Sequence, residues 1–161
     1  KIRERIPDVT IRTTLIAGFP GETQAEFEEL VDFIRDFRFD ALGVFPYSCE
    51  EETPSGRMAG QLPEEVKRER VEALMAAQQE VAFAAGDERI GSTFEVLVDE
   101  RIEPGAVSGR HQGQAPMVDG VTFVEGCDAS PGEFVNVRCV GRETYDLMAK
   151  PTRRALRVLR A

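Results

Sequence analysis

The glycine-bracketed turn at residues 18–23 is the sharpest local feature of this 161-residue chain. Its sequence, Gly-Phe-Pro-Gly-Glu-Thr, follows a β-branched run that predicts a buried strand over residues 9–17. At the carboxyl end of a parallel strand, such a turn lines the usual ligand crevice, and its glycines let a ligand approach the backbone. A tight strand-to-helix turn with a helix cap is the alternative, and the turn residues alone favour that structural interpretation.

The predicted strand provides a stronger indication of a site. Strand alternation places four residues on one face: Arg12, Thr14, Ile16 and Gly18. If that face points into a barrel, burial of the charged Arg12 side chain is energetically unfavourable without an anionic partner or ligand.

Other chemistry-bearing residues give weaker signals. Glu50, Glu51 and Glu52 follow Tyr47 and could hold a metal or a basic peptide, but consecutive loop acids are most often solvated. The single histidine, His111, has no Cys or His near it in sequence, and we expect it to be exposed on a loop. The cysteines are too far apart to predict a disulfide framework or a metal knuckle; they are Cys49, Cys127 and Cys139.

The elements that position these residues begin with a strand–helix–strand unit. Thr23 and Glu26 form a capping-box pattern that opens a helix, and a second buried strand is predicted over residues 41–45. A longer helix opens at residues 62–65 and runs to Gly86. Its narrow apolar stripe comprises Val66, Val71, Leu74, Met75, Gln78, Val81 and Ala85.

From residue 90 the pattern changes to five short strands separated by turn residues. They are predicted at 94–98, 105–109, 121–125, 134–140 and 145–148. Such spacing indicates a small antiparallel barrel. The chain is therefore predicted to combine an α/β part with an all-β part, with the boundary between residues 86 and 91.

Composition and charge narrow the function classes. A hydrophobic content of 42% excludes a disordered chain, and three cysteines exclude a disulfide scaffold. We find no signal peptide or spanning segment, so we expect a cytoplasmic location and no membrane partner. Residues 1–149 carry fifteen basic and 29 acidic side chains, a net charge of −14. Such a surface repels phosphate and favours basic partners.

Two segments together resemble the radical S-adenosylmethionine methylthiotransferase family. Arg12-Thr13-Thr14, the glycine-bracketed turn and residues 45–51 are similar to the later part of its radical domain. Residues 109–110 and 115–121 are similar to the TRAM domain that ends these enzymes. The resemblance covers residues 1–148, with departures at Glu52, Gln114 and Met117.

The resemblance implies a domain organisation. Residues 1–61 would be the last βα units of a partial (β/α) radical-domain barrel, and residues 62–89 a bridging helix. Residues 90–149 would be an OB-like TRAM barrel, followed by a basic tail over 150–161. We expect that tail to be a solvated helix, with contact to ribosomal RNA as the alternative.

The resemblance also implies site residues. Those on the first strand would bind S-adenosylmethionine: Arg12, Thr14, Ile16 and Gly18. Five residues are candidates for docking the substrate: Tyr47, Glu50, Glu51, Arg110 and Asp119. For Arg110 and Asp119, an Arg–Asp pair that bridges two strands is an equally good structural explanation.

The Glu50-Glu51 pair is similar to the branch of the family that modifies the β-carbon of an aspartate in a small-subunit ribosomal protein. Residues 90–149 contain ten acids and four arginines, a net charge of −6, which favours a basic ribosomal protein over tRNA. A tRNA methylthiotransferase and a pure RNA-binding module are the alternatives.

The family's cluster motif, CxxxCxxC, is absent from this sequence. We therefore expect a C-terminal fragment of a longer enzyme, inactive alone, with no catalytic residue or metal ligand of its own. By resemblance, the parent would use S-adenosylmethionine and two iron–sulfur clusters, none of them held by the fragment.

Overall fold

A computed structural model describes residues 1–152 and divides the chain into two units, Lys1–Ala82 and a second that begins at Phe83. The basic tail was predicted to begin at residue 150, but Lys150 and Pro151 belong to the last barrel strand, where Lys150 pairs with Glu125. The rest of the predicted tail, from residue 153 onward, lies outside the described residues. No helix among residues 1–152 is both long enough and apolar enough to cross a membrane.

The first unit is built on two parallel strands joined by a helix. Its elements are α1 (Ile2–Arg5), β1 (Arg12–Ala17), α2 (Gln24–Phe37), β2 (Ala41–Pro46), a 3₁₀ turn (Ser55–Arg57) and most of α3 (Glu64–Glu88). β1 and β2 pair in parallel, with Arg12 opposite Ala41 and Ala17 opposite Pro46. The predicted strand–helix–strand unit is confirmed.

Helix α2 begins and ends with side-chain contacts. The predicted capping box is confirmed, since Glu26 N donates to Thr23 Oγ1 at 3.2 Å and Thr23 N donates to Glu26 Oε2 at 2.8 Å. At the other end, the Arg3 guanidinium donates to the carbonyl oxygens of Phe37 and Arg38 at 2.7 and 2.6 Å. Both contacts satisfy backbone groups that the helix itself leaves unpaired.

The core of the first unit lies where α2 and α3 pack on the inward face of β1 and β2. Its fully buried apolar residues are Ala17, Ile34, Val44, Leu74, Ala77 and Val81. Met75, which was predicted to belong to the α3 stripe, is exposed. The buried stripe of α3 instead extends toward its N-terminus through two charged residues, Lys67 and Arg70.

The second unit contains a closed five-stranded barrel. Its strands are β3 (Thr93–Glu103), β4 (Ala106–Arg110), β5 (Thr122–Glu125), β6 (Phe134–Glu143) and β7 (Asp146–Pro151). They follow one another around the barrel in the order β3-β4-β5-β7-β6. The predicted five-strand barrel is confirmed, but its strands are not all antiparallel. β7 lies between β5 and β6, so it pairs parallel to β5.

Alternating residues of the barrel strands fill its interior. The buried cluster consists mainly of valines at Val96, Val98, Val107, Val124, Val135 and Val137. The last turn of α3 joins this unit, because Arg142 of β6 forms a two-pronged ion pair with Asp87 at 2.9 and 3.0 Å. Hydrogen bonding from Arg142 lowers the pKa of Asp87.

Candidate functional site

The glycine-bracketed turn follows β1 and is closed by its own glutamate. Gly18 N donates to both carboxylate oxygens of Glu22, at 3.1 and 3.2 Å. Gly18 is buried with φ +77°, and a Cβ there would lie 2.5 Å from Cγ of Lys67. The backbone conformation and the packing of Lys67 therefore both require glycine at this position.

Arg70 of α3 holds the same glutamate. Its Nη1 contacts Glu22 Oε1 and also donates to Glu22 O at 3.0 Å. The two side chains are only 9% and 13% exposed, and the guanidinium lies 5.2 Å from the ring centre of Phe27. Glu22 thus joins the Gly18 amide to a cation on α3, which fixes the turn against the helix.

Tyr47 and Lys67 form a second contact at the ends of the two strands. Tyr47 N donates to Ala17 O at 2.8 Å, and its buried ring meets Phe19 edge-on at 5.3 Å. Lys67 is 2% exposed, donates to Glu64 Oε1 at 2.5 Å and lies 5.3 Å from the Tyr47 ring centre. Within residues 1–152, the buried Tyr47 hydroxyl has no hydrogen-bond partner.

Three members of this group of largely buried side chains around Gly18 were not predicted from the sequence: Glu22, Lys67 and Arg70. A signal was present, because the buried positions of α3 at Leu74, Ala77 and Val81 extend at helical spacing back to residues 67 and 70. Charged residues are almost never fully buried unless they are paired. Lys67 and Arg70 were therefore not assigned to the buried stripe of α3, although their spacing fits it.

The outward face of β1 carries three of the predicted cofactor-binding residues, Arg12, Thr14 and Ile16. All three are exposed in this chain. Ile16 is opposite Phe45 of β2, and these side chains are 57% and 61% exposed. The structure brings these three residues onto one face, whereas the fourth, Gly18, lies in the buried turn against Lys67. Parallel sheets are normally covered on both faces, and this one is covered on the inward face only.

The acidic loop after Tyr47 is exposed to solvent. Glu50 and Glu51 are exposed; Ser48 Oγ donates to Glu50 Oε1 at 2.9 Å, and Arg57 donates to Glu51 O at 3.2 Å. Residues 1–152 contain no group of three or more acids, cysteines or histidines arranged to hold a metal ion.

The barrel places the two remaining docking candidates in separate contacts. Arg110 pairs with Asp99 across β3 and β4 at 2.5 Å. Asp119 accepts a hydrogen bond from Ala115 N at 2.6 Å. An Arg–Asp bridge between strands is therefore present, but Asp99 supplies its carboxylate.

His111 is half-buried, so the expectation of an exposed histidine was wrong. Its ring packs edge-on against Phe94 with centres 5.4 Å apart, and its Nδ1 accepts from Gly113 N at 2.9 Å. Burial lowers the pKa of His111 to about 4, and the positive charge of Arg89 contributes to the decrease. The imidazole is therefore neutral at physiological pH.

Comparison with known proteins finds similarity over both parts of the chain. Residues 90–151 match the family model described as TRAM domain. The chain is 47% identical over 149 residues to the ribosomal protein uS12 methylthiotransferase RimO of Heliobacterium modesticaldum, covering 92% of this chain and 32% of that protein. The corresponding protein of Clostridioides difficile is 46% identical over 148 residues, covering 91% and 33%. The chain thus spans about one third of the length of these curated relatives.

Proposed function

Because residues 90–151 belong to the TRAM-domain family and the chain matches the C-terminal part of uS12 methylthiotransferases, we propose that it is the C-terminal part of such an enzyme. The parent would add a methylthio group to the β-carbon of an aspartate in a small-subunit ribosomal protein, in the cytoplasm. The TRAM barrel would recruit that protein.

The observation that carries this proposal is the extent of the similarity. Identities of 46–47% extend over more than 90% of the chain, through both the strand–helix–strand unit and the barrel. A barrel match alone would fit many RNA-binding proteins. Similarity on both sides of α3 restricts the proposal to one class of enzyme.

The outward face of β1 suits S-adenosylmethionine. It offers a guanidinium at Arg12 for a carboxylate, a hydroxyl at Thr14 and an exposed apolar side chain at Ile16 for a ring. Gly18 would contribute through its Cα and carbonyl, because its N–H already donates to Glu22. When bound, the cofactor would supply the hydrogen abstraction.

The described residues do not suit an iron–sulfur cluster. Such a cluster requires several thiolates at one place. Here Cys49 is exposed while Cys127 and Cys139 are buried in the other unit, and no cluster of metal-binding side chains is found within residues 1–152. Both clusters of the parent would therefore be bound by residues outside this chain.

The acidic barrel supports a basic protein as the partner. The net charge of −6 over residues 90–149 is unfavourable for a surface that must approach phosphates. Arg110 is a residue type that contacts phosphates, but in the described part of the chain it already pairs with Asp99.

The activity test uses a strain that lacks the full-length gene. Mass spectrometry of its small-subunit ribosomal proteins should show one of them lighter by the methylthio group that replaces a hydrogen, with the mass restored on complementation. If the ribosomal proteins are unchanged and the tRNA is undermodified, the parent enzyme belongs instead to the tRNA-modifying branch.

A binding test separates the remaining alternatives. The chain is titrated with ribosomal protein uS12 and with tRNA at two salt concentrations. Tight and steeply salt-dependent tRNA binding, with no binding of the protein, would indicate an RNA-binding module.

A further inference from the structure

The loop between β4 and β5 exposes two adjacent apolar side chains. Met117 is 102% exposed and Val118 is 73% exposed. Single exposed apolar residues are ordinary on protein surfaces, whereas adjacent ones on a loop tip are typical of contact sites. We call these two residues the apolar tip.

The loop that carries the apolar tip is tied together by side chains. Gln114 Oε1 accepts from His111 N at 3.0 Å and from the hydroxyl of buried Thr122 at 2.9 Å, while Nε2 donates to Gly120 O at 2.8 Å. The Asp119 carboxylate accepts from Ala115 N. Because these bonds fix the loop in advance, a partner need not pay the full entropic cost of ordering it.

Met117 adopts a conformation that methionine rarely takes. Its φ of +61° lies in the left-handed region, which is unfavourable for any residue with a Cβ. Glycine would satisfy the backbone there without strain. A strained, fully exposed apolar side chain on a braced loop is an outlier of the kind that accompanies a binding role.

The loop chemistry argues against a phosphate ligand. Residues 112–121 contain no Lys or Arg. The amides of Ala115, Val118 and Asp119 already donate within the loop, and Pro116 has none. Such a tip can enter an apolar pocket on a protein. Methionine suits this role because its flexible side chain adapts to irregular pockets.

We propose that the apolar tip, Met117 and Val118, anchors the TRAM barrel to its protein partner by entering an apolar pocket within a basic surface. The basic surround is inferred from the net charge of −6 over residues 90–149. This proposal rests on the proposed function, which supplies the ribosomal protein as the partner.

The test compares the 161-residue chain with three variants by calorimetric titration against purified ribosomal protein uS12. Met117→Gly and the double variant Met117→Gly/Val118→Ser remove the apolar tip, and glycine suits the backbone at residue 117. The matched control, Ile102→Ser, removes a half-exposed apolar side chain elsewhere on the barrel.

We expect the double variant to raise Kd by about tenfold or more and Met117→Gly to raise it by a smaller factor. Ile102→Ser should stay within about twofold of the wild type. The ratio between wild type and double variant should be nearly independent of salt, because the contact is apolar.

Three outcomes would overturn the proposal: uS12 binding by the double variant within about twofold of wild type, an equal loss in the Ile102→Ser control, or wild-type self-association that the double variant abolishes. Failure of the wild-type chain to bind uS12 would instead contradict the proposed function itself.

Discussion

At the residue scale, the two buried cations of α3 determine how the candidate site is supported. Arg70 neutralises Glu22, which in turn accepts from Gly18 N, while the aliphatic part of Lys67 packs over Gly18. Burial makes each charge dependent on its partner, because an unpaired charge in that position would be costly to desolvate.

The Glu22–Arg70 pair should show strong coupling. Glu22→Gln and Arg70→Met should each lower the free energy of unfolding by about 3 kcal/mol, because each leaves the other charge buried and unpaired. The double variant should lose less than the sum of the two. Urea denaturation of all four proteins measures the coupling.

The exposed pair Arg35–Glu80 provides the matched control, since it also joins α3 to a distant segment of the same unit, in this case α2. The same cycle at that pair should give no more than about 0.5 kcal/mol of coupling. Equal coupling at the two pairs would contradict the role assigned to burial.

His111 should make stability depend on pH. The pKa is lowered to about 4 in the folded chain from an ordinary value of 6.5, so the unfolded chain binds a proton first as the pH falls. The contribution of neutral His111 to the free energy of unfolding is thus fully present above pH 6.5 and is lost as the pH falls toward 4.

Urea denaturation at pH 7 and pH 4.5 checks this dependence. The loss of stability should be about 1–2 kcal/mol smaller in His111→Asn, which cannot titrate but keeps an acceptor for Gly113 N. An identical pH dependence in the two proteins would show that the histidine does not contribute.

At the element scale, the elements that were predicted correctly depend on residues close together in the sequence. The β1–α2–β2 unit followed from a β-branched run, a capping box and an apolar helical stripe, each contained within a short window. The burial of Lys67 and Arg70 was not predicted, because Lys67 packs over Gly18 and Arg70 pairs with Glu22, which are both distant in the chain. The parallel pairing of β5 with β7 was missed for the same reason, since alternation along a strand does not identify its neighbour.

The Thr23 cap should make a measurable contribution to α2. Thr23→Ala removes the acceptor for Glu26 N and should cost about 1 kcal/mol in thermal or urea denaturation. The control is Gln24→Ala in the same turn, whose amide only donates to exposed Glu28. It should cost less than about 0.5 kcal/mol.

At the scale of the whole molecule, the two units differ in how completely their sheets are covered. The barrel closes on itself, whereas β1 and β2 form a two-stranded sheet with Ile16 and Phe45 exposed on one face. Exposed faces and open edges lower the local stability of a sheet.

Hydrogen exchange should therefore report lower protection for the first unit. Amides of β1 and β2 are expected to exchange faster than those of β3 and β6 in the same protein. Uniform protection across both units of a monomeric chain would contradict this expectation.

The position of β7 between β5 and β6 also affects when the barrel can form. β7 pairs with β5 on one side and with β6 on the other, while β6 also pairs with β3. During synthesis, the edge of β3 can therefore be covered as soon as β6 has emerged, whereas the edge of β5 stays open until β7 (Asp146–Pro151) follows. Because translation proceeds at about 5–20 residues per second, the β5 edge stays open for a time on the order of seconds, an interval in which a chaperone or another nascent strand can bind it.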